Sequence, residues 1–206
     1  MALIGLKYLA MAVPTYSEAG EAPTYTKGQL IGKSVKIDKS ASFQTAELYA
    51  DDELAESDKT FDTGTLSINL ADYGFDKADV LKVQALLFGH ELIAADSETG
   101  TPERLVKSAD DVAPYLSAAY IKTRKLKNVV SYEVTVVYKV QFAPSSETAQ
   151  TKEKSTTFNT PTAEGSFYPI KLKNAEGNIK LAYEDTIIFD DYSAAINYIK
   201  TLFSIT

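Results

Sequence analysis

The segment from Glu47 to Asp58 holds the side chains most able to do chemistry in this sequence. It contains six acids and no base: Glu47, Asp51, Asp52, Glu53, Glu56 and Asp58. Two carboxylates can hydrolyse a glycoside only where a cleft holds them at a fixed separation. Sequence neighbours in a polar loop have no such cleft. The D-x-D-x-D-G order of a calcium loop is also missing. We therefore predict no metal and no cofactor, and interpret this stretch as a solvated or intersubunit loop.

Two further motifs lack the partners or the context that their chemistry needs. His90 is the only histidine, so it cannot build a His-based metal site, and a Ser-His-Asp triad would need two distant partners. The run from Gly28 to Ser34 approaches a phosphate-binding loop, but only three residues separate its glycines. A strand rather than a helix is predicted to follow, and helix N-terminal amides are what hold the phosphates. We expect the chain not to be an enzyme.

One basic cluster stands out and admits three interpretations. It consists of Lys122, Arg124, Lys125 and Lys127. Near the tip of a hairpin it could be a solvated turn, a nucleic-acid contact, or a salt-bridging partner for the acidic loop of a neighbouring copy. Exposed ion pairs contribute only about 0–1 kcal/mol each, so in the third case they would set register more than affinity.

Length and charge restrict the class of protein. The 206 residues carry a net charge of −7, with 28 acids and 21 bases and no cysteine. A single domain over residues 1–206 is expected, and the acidity disfavours tight binding of nucleic acid. No apolar run reaches the roughly 18 residues of a membrane span. The first residues lack the basic start of a secretory signal.

Alternation of apolar and polar residues predicts a mainly β fold. It is longest over residues 128–142, where one face is apolar and the other largely polar, which predicts an antiparallel strand with one solvated face. Further strands are predicted at Ser34–Phe43, Thr65–Leu70, Tyr115–Arg124, Ser155–Tyr168 and Ile179–Phe189, with an extended start over Met1–Val13. Surface loops are predicted at Ala95–Glu103, Ala143–Lys154 and Asn174–Asn178.

Two amphipathic helices complete the predicted fold. The first has Asp76 as its cap, Val80, Val83 and Leu87 on one face, and Gly89 at its end. The second begins near Asp191 and carries an apolar stripe that ends at Phe203. The order of elements predicts an antiparallel β-sandwich or open barrel with a flanking α-helix, a C-terminal helix and a long hairpin loop.

Several segments, taken together, resemble the major tail proteins of long-tailed bacteriophages (siphophages). They occur in the family's order and cover most of the chain: Ile4–Tyr8, Ala46–Lys59 with Phe61 and Gly64–Leu70, Ala85–His90, Ala113–Arg124, Tyr138–Phe142 and Phe158–Gly165. The C-terminal helix with Ala194, Ala195 and Ile196 is similar to the family's ending. We expect no additional immunoglobulin-like domain after it.

The resemblance implies a structural subunit of a tail tube. Six copies would close into a ring, and rings would stack into a tube through which DNA leaves the virion without specific binding. A long loop, here from Tyr49 to Phe61, would reach a neighbouring subunit or ring, so that Tyr49, Leu54 and Lys59 join the acids as candidate contact residues. Tail tip, tape-measure and tail terminator proteins would be partners. Assembly would take place in the host cytoplasm.

Three other hypotheses remain open. A β-sandwich adhesin or carbohydrate-binding module is favoured by the 13 tyrosines, whose rings can stack on sugars. A hydrolase would use the acidic loop. The tube of a contractile injection device would share the arrangement of sandwiches in a ring.

Overall fold

A computed structural model describes residues 2–50, 53–144 and 160–205, and most of these lie in strands. The strands are β1 (Ala2–Thr15), β2 (Thr24–Gly32), β3 (Ser34–Ala50), β4 (Glu53–Leu70), β5 (Glu91–Ile93), β6 (Arg104–Val106), β7 (Tyr115–Leu126), β8 (Val129–Ala143), β9 (Thr162–Phe167), β10 (Ile170–Lys173), β11 (Ile179–Ala182) and β12 (Glu184–Phe189). The helices are α1 (Lys77–Phe88) and α2 (Tyr192–Phe203). The predicted antiparallel β-sandwich with two helices is confirmed.

Strand β8 connects the two parts of the main sheet. The strand order is β2-β1-β7-β8-β9-β4-β3, and β12 also pairs with β8. On one side of β8, its residues Tyr132–Val137 pair with β12 and its residues Val140–Ala143 pair with β9. Two small hairpins, β5–β6 and β10–β11, lie outside this sheet. The sheet therefore turns from one layer into the other along a single shared strand.

Two apolar clusters cover the two faces of β7 and β8. One lies between the sheet layers and α1 and includes Leu66, Leu87 and Phe167. The other lies under α2 and includes Ile121, Val134, Ile199 and Phe203. The prediction of a solvated second face on 128–142 is wrong. Glu133, Thr135 and Val137 are buried, because both faces of β8 are covered.

A β-bulge at Tyr138 and Lys139 explains why β8 can serve both clusters. The register passes from Leu116↔Val140 to Ala118↔Val137, so β8 carries one extra residue. Val136 and Tyr138 therefore contribute to the cluster under α2, whereas Val140 and Phe142 contribute to the other. The bulge carbonyl of Tyr138 accepts hydrogen bonds from the Ser117 hydroxyl and, at 3.0 Å, from the Tyr16 hydroxyl. Alternate residues of β8, which would share one face of a regular strand, therefore lie in one apolar cluster before the bulge and in the other cluster after it.

Both predicted helices are confirmed, including their ends. The Asp76 carboxylate accepts hydrogen bonds from the amides of Ala78 at 2.9 Å and Asp79 at 3.0 Å, and Gly89 ends α1 with a φ of 72°. Asp191 caps α2 in the same way. These ends depend on local chemistry, which a sequence shows directly.

Other predicted elements need correction. Ile179–Phe189 is two strands rather than one, because the chain leaves the β10–β11 hairpin at Tyr183 and joins β8 as β12. Strands β2, β5, β6 and β10 had no counterpart among the predictions. Ser155–Tyr168 gives β9 within its described part. Residues 155–159 of that strand, and 145–154 of the predicted loop Ala143–Lys154, lie outside the described residues.

We expect Gly64→Ala to destabilise the fold by about 2–3 kcal/mol, because a methyl group there overpacks the core. A Cβ at Gly64 would lie 2.0 Å from Cζ of the buried Phe167. Gly5→Ala is the matched control, since its Cβ would meet Thr123 only at 3.7 Å. Urea unfolding measures both variants, and equal midpoints would contradict the close packing of Phe167 on Gly64.

Candidate assembly surface

Strands β3 and β4 extend beyond the sandwich as a two-stranded ribbon, which we call the arm (residues 43–61). Strand β4 pairs with β9 only from Gly64 to Asn69, whereas its pairing with β3 continues from Phe43↔Phe61 to Ala50↔Glu53. At about 3.3 Å per residue, the arm is on the order of 25 Å long. Within the described residues, no other strand pairs with the arm.

An aromatic cluster anchors the arm to the body of the protein. The Phe61 ring lies 5.0 Å from that of Tyr183 and 5.9 Å from that of Phe167, measured between centroids. Phe43 meets Phe61 edge to face at 5.8 Å, and the Lys59 ammonium lies 5.5 Å from the Phe43 ring centre. Such contacts hold the base of the ribbon at a fixed place.

The predicted loop Tyr49–Lys59 is wrong as to backbone conformation, although a long hairpin is present. Tyr49 pairs with Leu54, and the sequence from Glu53 to Lys59 belongs to β4. Glu56, Asp58 and Lys59 are exposed, as are residues 44–47 on the facing strand. Asp51 and Asp52 lie outside the described residues. The arm thus presents solvent-exposed acidic residues on a paired scaffold rather than on an irregular loop.

The two edges of the main sheet differ in their openness. Edge strand β2 has an irregular register between its pairs with Met11 and Val13, and Lys27 there has a φ of 53°. The backbone of α2 approaches the same place, since a Cβ on Gly28 would lie 1.9 Å from the Phe203 carbonyl oxygen. Bulges and covering elements protect an edge from further pairing. Edge strand β3 is longer and, in the described part of the chain, lacks a partner along its outer side.

Half of the predicted basic cluster is engaged within the chain. Lys122 and Arg124 both form ion pairs with Glu133, whose side chain is only 3% exposed. Burial raises the pKa of Glu133, but hydrogen bonds from the two cations outweigh that effect and hold this pKa below its ordinary value. Lys125 and Lys127 are exposed at the β7–β8 turn. The structure therefore leaves these two most accessible to another molecule.

Lys39 adjoins this buried charge network. It forms an ion pair with Glu184. Burial and the nearby Lys122 ammonium lower the pKa of Lys39 to about 8, while Glu133 opposes the shift. A lysine held in this way is partly neutral at mildly alkaline pH.

We expect Lys39 to make the folded protein more stable as the pH rises above about 8. The unfolded chain keeps its ordinary, higher pKa and so binds more protons in this range, which makes stability rise with pH. Comparing denaturant unfolding of wild type and Lys39→Met at about pH 7 and pH 9 measures the contribution. Lys82→Met, an exposed position on α1, is the control. Parallel pH curves for wild type and Lys39→Met would contradict the assignment.

His90 holds a loop against the end of α1. Its Nδ1 lies 2.6 Å from the Asp111 carboxylate, which also accepts the Ser108 amide at 2.8 Å. The Ser108 amide and then His90 keep the pKa of Asp111 below its ordinary value. Among the described residues, no three His, Asp or Glu side chains are grouped so as to hold a metal ion. His90 directly follows Gly89, which ends α1 as predicted.

The phosphate-loop-like run has the context expected from the sequence. Its first five residues end strand β2, and Ser34 begins β3, so a strand follows as predicted. The connection is fixed by hydrogen bonds, from the Gly74 amide to the Ile31 carbonyl at 2.7 Å and from the Ala71 amide to the Lys33 carbonyl at 2.8 Å. The helix N-terminus that a phosphate-binding loop needs is therefore not supplied by the element that follows.

Comparison with known proteins leaves the family open. The chain matches no protein-family model, and no curated protein matches its sequence. Neither helix in the described ranges has the length and apolar character needed to cross a membrane.

Proposed function

We propose that this chain is a structural subunit of a bacteriophage tail tube, in which copies assemble into stacked hexameric rings around a channel for DNA. The observation that carries the proposal is the arm. It is paired, anchored at its base by aromatic rings, and exposed at residues 44–47 and 56–60. A two-stranded ribbon is only marginally stable by itself, so a surface on another subunit would stabilise it.

The open edge of β3 supports the same role. Unpaired backbone groups along a long edge strand are a template for pairing with another chain. Edge β2 is bulged and covered, so the two edges are not equivalent. A contact between unlike surfaces runs head to tail, and such contacts close into a ring when the rotation fits.

The acidic charge also suits a channel that conducts DNA. Each copy carries −7, and a ring multiplies that charge. Affinity for phosphate comes mainly from lysine and arginine, so negative walls would let DNA pass without specific binding. Tail tip, tape-measure and terminator proteins are the proposed partners, and the virion tail is the proposed location.

Negative-stain microscopy of concentrated, stored protein tests the proposal. We expect hollow tubes or stacked rings at high concentration. Protein that stays monomeric at every concentration and storage time would count against it. A co-purifying sheath protein would instead indicate a contractile injection device.

A carbohydrate-binding module is the second candidate, favoured by one cleft. This cleft of about 340 Å³ is lined by Tyr25, Tyr138 and Tyr198 together with Asp185. Burial raises the pKa of Tyr25 to about 12. Binding to a glycan panel without self-assembly would favour this candidate, and a panel without binding would remove it.

A further inference from the structure

A second cleft lies at the junction of β1, β2 and β3 and has the character of an anion-binding site. It measures about 360 Å³, and Lys7, Lys33, Tyr8, Ser34, Phe75 and Tyr192 are among its lining residues. The two lysines are exposed, and the Lys7 ammonium lies 4.9 Å from the Tyr192 ring centre. Among the described residues, no acidic side chain lines this cleft.

Two hydroxyl groups in the cleft lack partners among the residues that the structure describes. They are the Tyr8 hydroxyl and the Ser34 Oγ, and both are shielded from solvent. Buried polar groups are nearly always paired, so such atoms call for an explanation. The two exposed ammonium groups of the same cleft match the acceptor oxygens of a carboxylate. Phe75, which is 54% exposed, adds an apolar rim.

The connection between β2 and β3 holds the cleft in shape. Gly32 has a φ of 144°, and a Cβ there would lie 2.5 Å from the Asp72 carbonyl oxygen. Gly32 also bridges to Gly74. The backbone that presents Lys33 and Ser34 is thus closely packed, which favours binding because little further ordering is required.

The chain's own acidic residues are the best match for the cleft in charge. Glu56 and Asp58 are two residues apart on β4, so they lie on the same face of the arm. Both are exposed. The run Glu47–Asp58, with six acids and no base, is the densest acidic stretch near them. An acidic ribbon therefore faces solvent at one end of the molecule, and a basic cleft faces solvent at another.

The arm of a given copy cannot enter its own cleft. Strand β3 starts at Ser34 in the cleft and ends at Ala50 in the arm, after 17 residues. A paired strand of that length spans on the order of 50 Å. Since β4 accompanies β3 throughout this span, the ribbon does not fold back on itself. Only the arm of another copy can reach the cleft.

We propose that the cleft formed by Lys7, Tyr8, Lys33 and Ser34 is the receptor for the acidic arm of a second copy. This inference rests on the proposed function and names the surface that the arm contacts. The contact joins unlike surfaces, so it runs head to tail and propagates from copy to copy. It also assigns the arm to Lys7 and Lys33 instead of the exposed Lys125 and Lys127.

Charge exchange tests the proposal. Variant K7E/K33E places two acids in the cleft that meets the acidic arm, and variant E56K/D58K places two lysines on the face of the arm that meets the basic cleft. We expect each variant alone to assemble at least about tenfold less than wild type, because like charges then meet at the contact. Mixing the two variants, or combining all four substitutions in one chain, should restore assembly. Sedimentation velocity and microscopy measure assembly, and circular dichroism checks the fold.

The matched control is K125E/K127E, which reverses the same number of charges at the β7–β8 turn. We expect it to assemble like wild type. Normal assembly of K7E/K33E would overturn the proposal. So would a result in which K125E/K127E fails to assemble while K7E/K33E assembles normally. Failure of the mixture to assemble would also overturn it.

The mixture further separates this proposal from that of the tail tube. If wild type forms no tubes but the two variants associate only when mixed, the arm–cleft contact stands and the tube proposal fails. If wild type forms tubes and K7E/K33E does too, the tube stands and the cleft proposal fails. Titration with inorganic phosphate gives the remaining outcome. The outcome to watch for is that NMR resonances of the cleft residues shift with phosphate while the mixture of variants stays monomeric. The cleft would then be a site for small anions, and the proposal would be overturned.

Discussion

Replacing residues 44–60 by a short Gly/Ser turn should give a monomer that folds normally but forms no tubes. Residues 44–47 and 56–60 are exposed in the monomer, so their removal takes little apolar surface from the core. Phe43 and Phe61 stay in place and preserve the aromatic base. We expect a change in unfolding free energy below about 1 kcal/mol and complete loss of assembly. Thermal unfolding by circular dichroism and negative-stain microscopy measure the two effects.

Shortening the β10–β11 turn at residues 174–178 is the matched control. That turn is also a surface hairpin, held by hydrogen bonds from the amides of Glu176 and Asn178 to the Asn174 side chain. We expect this variant to assemble. Tubes formed by the arm-truncated chain would show that the arm is not an intersubunit element.

Glu133→Gln should cost about 2 kcal/mol of stability at neutral pH, because it removes the charge of a buried carboxylate that accepts hydrogen bonds from two cations. Glu133 is buried and bonded to both Lys122 and Arg124. Its pKa in the folded protein lies below its ordinary value. The stabilisation is therefore present at pH values above the ordinary pKa of glutamate, and it is lost as the pH falls through the lower, folded-state value.

Urea unfolding at pH 7 and at pH values below the ordinary pKa of glutamate measures both parts of this prediction. The wild-type curve should fall toward that of the variant as Glu133 becomes protonated. Glu164→Gln, an exposed position on β9, is the control and should change stability by less than about 0.5 kcal/mol. Equal stability of wild type and Glu133→Gln would show that the two cations do not depend on this carboxylate.

The helices were predictable from the sequence because their ends are set locally. Asp76 and Gly89 act within one helical turn, and the structure places both as expected. The alternation of 128–142 correctly predicted a strand. It did not predict that the more polar face of this strand would also be buried. The face that carries Val137 packs in the cluster with Leu66 of β4 and Leu87 of α1, more than 40 residues earlier in the chain, and no local pattern states where such distant elements will pack.

The arm shows a different limit. Its residues are acidic and polar, a composition depleted in strands, so the sequence predicted a loop. Pairing that starts in the core at Ser34↔Leu70 continues outward to Ala50↔Glu53. The neighbouring pairs thus carry the strand conformation into a segment that would not adopt it alone.

The cleft lining was only partly recognisable. Lys33 and Ser34 end a phosphate-loop-like run in the sequence, but Lys7 and Tyr8 are 26 residues earlier. They meet because β1 and β2 pair, with Leu9 opposite Gly32. Strand pairing is a long-range contact that neither segment encodes by itself.

Because β8 belongs to both layers, the sandwich offers no plane along which its layers can slide. Relative movement of β12 and β9 would break hydrogen bonds along one continuous strand. The body of each subunit should therefore respond to a pull as a single stiff unit. In a tube built from such subunits, bending would be taken up by the arms, and stretching the tube would separate neighbouring copies before it unfolded any of them.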